Sequence, residues 1–434
     1  VNDCDVIVVG GGPAGSTAAA WLARARHSVM LFERDQLPRF HIGESLLASI
    51  NDVIAEIGAE PQVRAAGFPQ KWGATFMWGD GSNERFADFG VAPAVRAPQT
   101  WQVPRATFDD LLLRHAASCG ADVRQRHRVH EVTFDPTGVT VTVQGPDDDA
   151  RRPVRAQALI DASGRSGLLS RKFGLRVDEP RLANVAVFSH YSNVPRKEGR
   201  RRGDIRIIAR EDLGWFWMIP ISEELMSVGV VLPQAAFLAV RPLEPEALLE
   251  RMIAETPAVA RLLSNATREW PVRVEKDYSF SSRAYAGDRW VLVGDAGSFL
   301  DPMFSTGVAI ALESALEGAQ AVADGLATGD LSARRFARFA RRQRGRYLSF
   351  RRFVLAFYTP EFRDLFFSPP PATRMFRSLV TVFAGYWHPP LVTRLWIALF
   401  FWAVWLQKYV ALAPRTFTRR AATHPEMLER RLPT

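Results

Sequence analysis

The chain opens on a run whose apolar positions are continuous rather than alternating, DVIVVG, Asp5 to Gly10. A strand of that kind is buried on both faces, as in a parallel sheet. AGSTAAAWLARAR, from Ala14, reads as a helix of small residues packed close to its sheet, and SVMLFE, ending at Glu33, reads as a second continuous strand. Together they predict a β-α-β unit. TFDDLLLRHAASCG, Thr107 to Gly120, has helical spacing, whereas EVTFD and VTVTVQ alternate and are joined by Pro136-Thr137-Gly138. That pair predicts a hairpin.

From about Arg181 to Val274 the pattern changes to short alternating strands, NVAVFSHYS, DIRIIAR and MSVGVVL, which predict an antiparallel sheet. RWVLVGDAG then returns to the continuous type and feeds a helix at GVAIALESALEGAQAVADGL. The first sheet is interrupted and resumed. The expected fold class is therefore α/β: a Rossmann-like nucleotide domain (1–70, 101–180 and 275–330) with an interleaved antiparallel substrate-side sheet (71–100 and 181–274). A mainly helical C-terminal region, 331–434, is punctuated by Pro369 to Pro371.

A chain of 434 residues, 47% hydrophobic and 23% charged, suits a globular protein of two or three interlocked subdomains. Its two cysteines, Cys4 and Cys119, offer neither a disulfide framework nor metal-ligand spacing, and no metal is expected. With a buried strand at the very start in place of a leader, a reducing cytoplasm is the expected location. The net charge of +9 is densest in RRFARFARRQRGRYLSFRR, Arg334 to Arg352, which holds no acid. It reads as a solvated helix face, or as a dock for an acidic protein or an anionic membrane. No nucleic-acid motif accompanies it. LWIALFFWAVWL, Leu395 to Leu406, falls short of the roughly 20 residues a membrane span needs and is expected to be a buried helix.

The strongest local signal is GGGPAG, where Gly10, Gly12 and Gly15 form G-x-G-x-x-G between a strand and a helix, with Glu33 ending the next strand. Such glycines let the backbone turn tightly and approach a pyrophosphate seated on the helix N-terminus. Glu33 is placed for the ribose hydroxyls of an adenosine and argues against a 2′-phosphate. These residues alone suit NAD or FAD. Arg105 in VPRATFDDLLL precedes a helix where a cation can reach the pyrophosphate, and Asp295 in VGDAGSFLDP ends a strand where a carboxylate can bind a polyol.

In their order along the chain, GGGPAG, Arg105, DASGR (Asp161 to Arg165) and VGDAGSFLDP resemble the p-hydroxybenzoate hydroxylase-like flavoproteins over roughly residues 1 to 330. The resemblance selects FAD. It extends the implied cofactor contacts to Pro13, Ala14, Arg34, Arg39, Ser45, Asp161, Gly294 and Gly307. Four further stretches narrow it: GWFWMIP (Gly214 to Pro220), FHIGESLL (Phe40 to Leu47), the lysine of GFPQKWGATF, and DPMFSTG (Asp301 to Gly307) are similar to those of flavin-dependent halogenases. The nearest branch acts on phenolic or pyrrolic precursors, often tethered to a carrier protein.

That resemblance implies an enzyme that turns reduced FAD, O2 and chloride or bromide into a hypohalous oxidant. Lys71 is then the catalytic residue, aiming electrophilic halogen at an electron-rich arene as an ammonium or as a chloramine. On local sequence alone Lys71 is a snorkelling strand lysine. Ser305, Thr306 and Gly307 are the implied halide seat, at a helix N-terminus. Trp215, Trp217, Ile219 and Pro220 are the implied wall between flavin and substrate; the two-residue spacing of the tryptophans puts both on one strand face, which core packing alone also explains. With a single dinucleotide fingerprint, a separate flavin reductase is the implied source of reduced FAD.

Phe304 stands where the tryptophan halogenases carry a catalytic glutamate, which disfavours free tryptophan as substrate. Ala48 stands where many relatives have proline, and Asp277 in KDYSF has no assigned role. The competing readings are an FAD monooxygenase, a prenyl-chain reductase whose isoprenoid fills the apolar tail, and a non-enzymatic flavin-binding docking protein. Arg335, Arg338 and Arg342 are the residues expected to steer an acidic carrier.

Overall fold

The computed structural model describes residues 2–146, 149–239, 243–368 and 373–417; Pro369 to Pro371 lie outside these, and so does the side chain of Asp277. The continuous apolar runs form a parallel sheet in the order Trp290–Leu292, Arg151–Asp161, Cys4–Val9, Val29–Phe32, Asp122–Arg124. The predicted hairpin, Arg128–Asp135 with Gly138–Gln144, runs antiparallel off the first half of Arg151–Asp161. Register aligns the strand ends: Val9 lies opposite both Asp161 and Phe32. The carboxyl ends of such strands are where open α/β sheets bind ligands.

The helix Pro13–Arg24 packs between this sheet, the helix Arg105–Ser118 and the 23-residue helix Thr306–Thr328. Two glycines set that packing. Gly10 adopts φ +106°, and a methyl group on Gly15 would stand 1.8 Å from the Gly10 carbonyl oxygen. Any side chain there would push the helix off the strand.

The second sheet has the order Thr267–Arg268, Arg176–Ser192, Met226–Pro233, Trp215–Pro220, Ile205–Ala209, Gly73–Trp78, Arg85–Asp88, with Arg273–Ser282 also on Arg176–Ser192. It is antiparallel except at one pair, Gly73–Trp78 alongside Ile205–Ala209. Its longest strand begins at Arg176, earlier than the alternation suggested, because its first residues pair with Ser282 and Phe280 at the seam between the sheets. Lys71 is not on this sheet. Gln70–Lys71 pairs only with Thr100–Trp101.

Alternation sorts the strand Trp215–Pro220 as its spacing demands. Trp215, Trp217 and Ile219 enter a core shared with the parallel sheet and the C-terminal helices, while Phe216 and Met218 enter a separate core.

Among the described residues, four helices follow residue 331: Ala337–Phe357, Pro360–Phe367, Arg374–Phe383 and Leu391–Gln407. Two expectations need correction here. The apolar segment from Leu395 is not a buried helix. Thr393, Ile397, Phe400 and Val404 are buried, but Leu395, Leu399, Trp402 and Trp405 are exposed. The buried positions recur every three or four residues, so a single stripe contacts the protein and the remaining apolar residues point away.

The arginine run is also not simply a solvated face. Arg346 is buried and pairs with Glu313 (3.1 Å) and Glu317 (3.0 Å), Arg342 pairs with Glu317 (2.6 Å), and Arg351 pairs with Glu179. Arg334, Arg335, Arg338, Arg341 and Arg344 remain exposed.

Candidate active site

At the strand ends of the first sheet, the Gly12 residue caps the helix that begins at Pro13, and Ala14 and Gly15 lie in its first turn. A side chain on Gly12 would meet only Arg39, whose Nη2 would lie 3.7 Å away. The Nε and Nη1 of Arg39 are buried with no hydrogen-bond partner among the described residues. An unsatisfied guanidinium beside a helix N-terminus calls for an anion, which a pyrophosphate supplies. Glu33, buried, accepts from the Gly11 amide at 2.5 Å and from the Asp35 amide at 2.8 Å. Its position is thereby fixed beside the same turn.

The second arm of the site follows the strand Trp290–Leu292. Gly294, at φ +57°, brings its Cα within close packing of Ala14 and donates its amide to Ser314 Oγ at 2.8 Å. Asp295 follows, and burial pushes its carboxyl up to about 6 against the pull of Arg165 and Arg105. A carboxyl of that kind is suited to hydrogen-bonding hydroxyl groups. The chain then turns through Asp301 and a left-handed Ser305 (φ +57°) into the helix Thr306–Thr328. Among the described residues Thr306 Oγ1 is buried without a hydrogen-bond partner, and beyond the helix's own backbone and chain neighbours no atom lies within 4 Å of where a Gly307 side chain would begin. There is therefore room beside Gly307. Arg39, the Gly12 helix and Asp295 together fit FAD: an anion site at one end, a polyol partner at the other.

Lys71 lies on the short strand paired with Thr100–Trp101. It is 1% exposed, donates from Nζ to Ser45 Oγ and to the Leu46 carbonyl, both at 2.8 Å, and faces the Phe89 ring at 5.4 Å. Burial pulls its ammonium down to about 7, and the charge of Asp204 opposes the shift. Asp204 Oδ1 accepts from the Trp72 and Gly73 amides at 2.7 and 2.9 Å, so it fixes the backbone right after the lysine; Oδ2 is buried without a partner. A lysine poised between its two forms is the electrostatic mark of a working group.

Comparison with known proteins identifies the family. Residues 3–333 match the family model described as an FAD binding domain. A 1H-pyrrole-2-carbonyl-[peptidyl-carrier protein] chlorinase from Pseudomonas fluorescens is 31% identical over 379 residues, covering 82% of this chain and 84% of its own. A tryptophan 2-halogenase from Chondromyces crocatus is 35% identical, over 81% of this chain and 67% of its own. The solved myxobacterial chondrochloren halogenase superposes with a TM-score of 0.77 at 34% identity, covering 93% of this chain and 97% of that one. The chain belongs to the flavin-dependent halogenases.

In this halogenase several of the residues singled out from sequence have partners within the protein. Arg105 donates to Asp109, at 2.7 and 3.0 Å, and to the Ile42 carbonyl at 2.8 Å. Its carboxylate partner four residues on captures it. Arg39 lies 3.6 Å from Asp35 and 3.7 Å from the same Asp109, without a hydrogen bond from Nε or Nη1 among the described residues, and is the less tightly held of the two cations. Arg34 is exposed beside Asp35. Asp161, fully buried, is consumed by its own turn, accepting from the Ser163 and Leu169 amides at 3.0 and 2.7 Å. Ser45, assigned to the cofactor, accepts the hydrogen bond from Lys71 Nζ at 2.8 Å.

Trp215, Trp217, Ile219 and Pro220 are all buried, and the two indole rings lie 6.0 Å apart. Trp217 Nε1 donates to Ser227 Oγ at 3.1 Å, and Trp215 Nε1 donates to the Tyr358 hydroxyl at 2.8 Å. Tyr358 in turn donates to Asp301 Oδ2 at 2.8 Å, which also accepts from Asn184 at 2.6 Å. Sequence reasoning missed Tyr358 and Asn184. Their only sequence signal was polarity inside apolar stretches. Phe304 stacks on Phe383 at 4.8 Å and meets Phe353 and Phe357 edge-on, so the position of the missing glutamate is dry and aromatic.

Proposed function

We propose that this halogenase chlorinates an electron-rich aromatic ring, phenolic or pyrrolic, with Lys71 steering the oxidant. Bound reduced FAD supplies, with O2 and chloride, the hypochlorous acid used. Arg39 and the Pro13 helix hold the pyrophosphate, Glu33 the ribose hydroxyls and Asp295 the polyol. The amides of Thr306 and Gly307 seat the halide, where the helix dipole favours an anion. Trp215, Trp217, Ile219 and Pro220 wall the cofactor from the substrate.

The observation that carries this reading is the buried Lys71 itself. As a neutral amine it donates two N–H groups, to Ser45 and Leu46, and keeps a lone pair for halogen. As an ammonium it keeps a third N–H for the oxidant. In either form the two fixed acceptors set its direction. With Phe304 in an aromatic stack, the site lacks a carboxylate there to take the ring proton, which favours a ring activated by its own hydroxyl or nitrogen.

Tethering of the substrate to a carrier protein is supported by two relatives named as acting on pyrrolyl-carrier proteins, the chlorinase above and a brominase from Pseudoalteromonas luteoviolacea. Exposed Arg335 and Arg338 suit an acidic carrier; Arg342 is held by Glu317. A separate flavin reductase completes the scheme.

The test supplies wild type and Lys71→Ala with chemically reduced FAD, O2, chloride and phenols or pyrroles, free and carrier-bound. Flavin oxidation is expected in both, with chlorinated product at least 100-fold lower in the variant, the lower range for a lost acid–base group. Hydroxylated product from both proteins would mean a monooxygenase.

A further inference from the structure

The helix Leu391–Gln407 and the turn after it leave an apolar face without a partner. Leu391, Val392, Leu395, Trp402, Trp405, Tyr409 and Val410 are each more than half exposed, at 68, 67, 57, 57, 52, 63 and 53%. Isolated exposed apolar residues need no explanation, but a contiguous stripe along one helix does. The stripe continues into a cleft of about 380 Å³ lined by Phe353, Val382, Leu395 and Ile397, with Arg352 and Arg394 among its walls.

The charge around this face is of one sign. Between Asp330 and Glu426 the chain has only two acids, Glu361 and Asp364, and both are buried, at 8 and 3% exposure. Everything else charged there is basic. Beside the stripe itself, Arg352 (whose guanidinium lies 3.7 Å from the Phe401 ring), Arg394 and Lys408 are exposed. The stripe also carries indole and phenol rings, whose apolar bodies and polar tips suit a water–lipid boundary. No described helix is long and apolar enough to cross a membrane.

We propose that this face docks on an anionic lipid bilayer, with the helix Leu391–Gln407 lying in the plane of the interface. Trp402, Trp405 and Leu395 insert at the acyl boundary while the arginines and Lys408 meet the headgroups. An apolar stripe framed by cations is the composition of an interfacial helix. A protein partner as apolar as this face would leave the cation ring without a counter-charge; an anionic bilayer satisfies both features at once. The helix that docks lies on a different stretch of the chain from Lys71.

The experiment incubates the full-length, FAD-loaded protein with vesicles of phosphatidylcholine alone and of equimolar phosphatidylcholine and phosphatidylglycerol. Flotation and tryptophan fluorescence are the readouts. Binding to the anionic vesicles is expected, with a blue shift of the tryptophan emission. Neutral vesicles should bind at least five-fold more weakly, the effect of about one basic side chain near a charged surface. High salt should release the protein. Trp402→Glu with Trp405→Glu should abolish flotation yet leave the flavin absorbance and the turnover of a free soluble arene unchanged. A double variant with altered flavin absorbance would be replaced by Leu395→Gln, also expected to weaken flotation.

Absence of flotation with the anionic vesicles would overturn the proposal. So would a concentration-dependent dimer that Trp402→Glu dissociates, which would assign the face to a second copy of the chain.

Discussion

A lysine at 1% exposure either loses its proton or keeps an unhydrated charge, and Lys71, brought down to about 7, stands between the two. In the unfolded chain the same group titrates near 10.4. Between those values the unfolded state binds more protons than the folded one, so folding stability rises with pH across that window. Lys71→Met removes the coupling. Chemical denaturation of both proteins should show the wild type gaining on the variant by up to about 1.4 kcal/mol per pH unit between pH 7 and 10, with no such gain below pH 7. Equal pH slopes in that window would mean that Lys71 keeps an ordinary lysine pKa. Asp204 acts on the same equilibrium from the other side, since its charge raises the lysine's pKa. Asp204→Asn should therefore lower the pKa of Lys71, and in a pH–rate profile of chlorination the limb that follows its ionisation should move to lower pH. A limb that moves up, or stays, would place Asp204 outside the electrostatics of the site.

At the scale of elements, the start of the helix Thr306–Thr328 is held by a chain of side chains from three distant segments. Trp215 donates to Tyr358, Tyr358 to Asp301, and Asn184 to the same carboxylate. Tyr358→Phe removes the hydroxyl and leaves the Trp215 indole N–H without that partner. Each unsatisfied buried group costs about 1–3 kcal/mol. The proposed halide seat should loosen, with the KM for chloride rising roughly ten-fold and flavin affinity unchanged. An unchanged chloride KM would show that the turn holds its shape without the tyrosine. Phe304→Glu makes a complementary test of the missing carboxylate. Placed among Phe353, Phe357 and Phe383, an unpaired carboxylate loses its hydration. The variant should be destabilised by about 3 kcal/mol or more in denaturant titrations and gain no activity toward free tryptophan.

The same elements show where sequence was informative. Gly10, Gly12 and Gly15 were legible because their geometry is local, and Trp215 and Trp217 because strand alternation is local too. Ser45 and Asp204 were assigned elsewhere or passed over, since they reach Lys71 across 26 and 133 positions of chain, as the numbering itself shows. The Asp109 partner of Arg105 was not read from sequence, because a cation before a helix looks free until its neighbours are placed. The Leu395 segment misled because composition reports apolarity but not which face finds a partner.

Across the whole molecule, the C-terminal helices and the substrate-side sheet meet at Arg363. It is fully buried, and its guanidinium donates to the carbonyls of Phe357 (2.8 Å), Arg210 (2.9 Å) and Leu213 (2.9 Å). It also lies 4.5 Å from the Phe357 ring and 4.8 Å from Phe417. Desolvation lowers its pKa only to about 10, so it stays charged at neutral pH, satisfied by carbonyl oxygens and rings in place of a carboxylate. Sequence offered no hint of this, because carbonyl partners leave no trace in residue identity. Arg363→Met strands three buried carbonyls and should cost on the order of 3–5 kcal/mol, the range for breaking a buried charged contact. If that residue latches the helices to the sheet, limited proteolysis of the variant should cut first between Pro360 and Phe417, while the flavin spectrum stays that of the wild type. Uniform cleavage along the chain would instead make Arg363 part of a single cooperative core, and resistance equal to the wild type would remove it from the energetics of the tail. Arg363→Lys, with a charge but no planar fork, should restore only part of the loss.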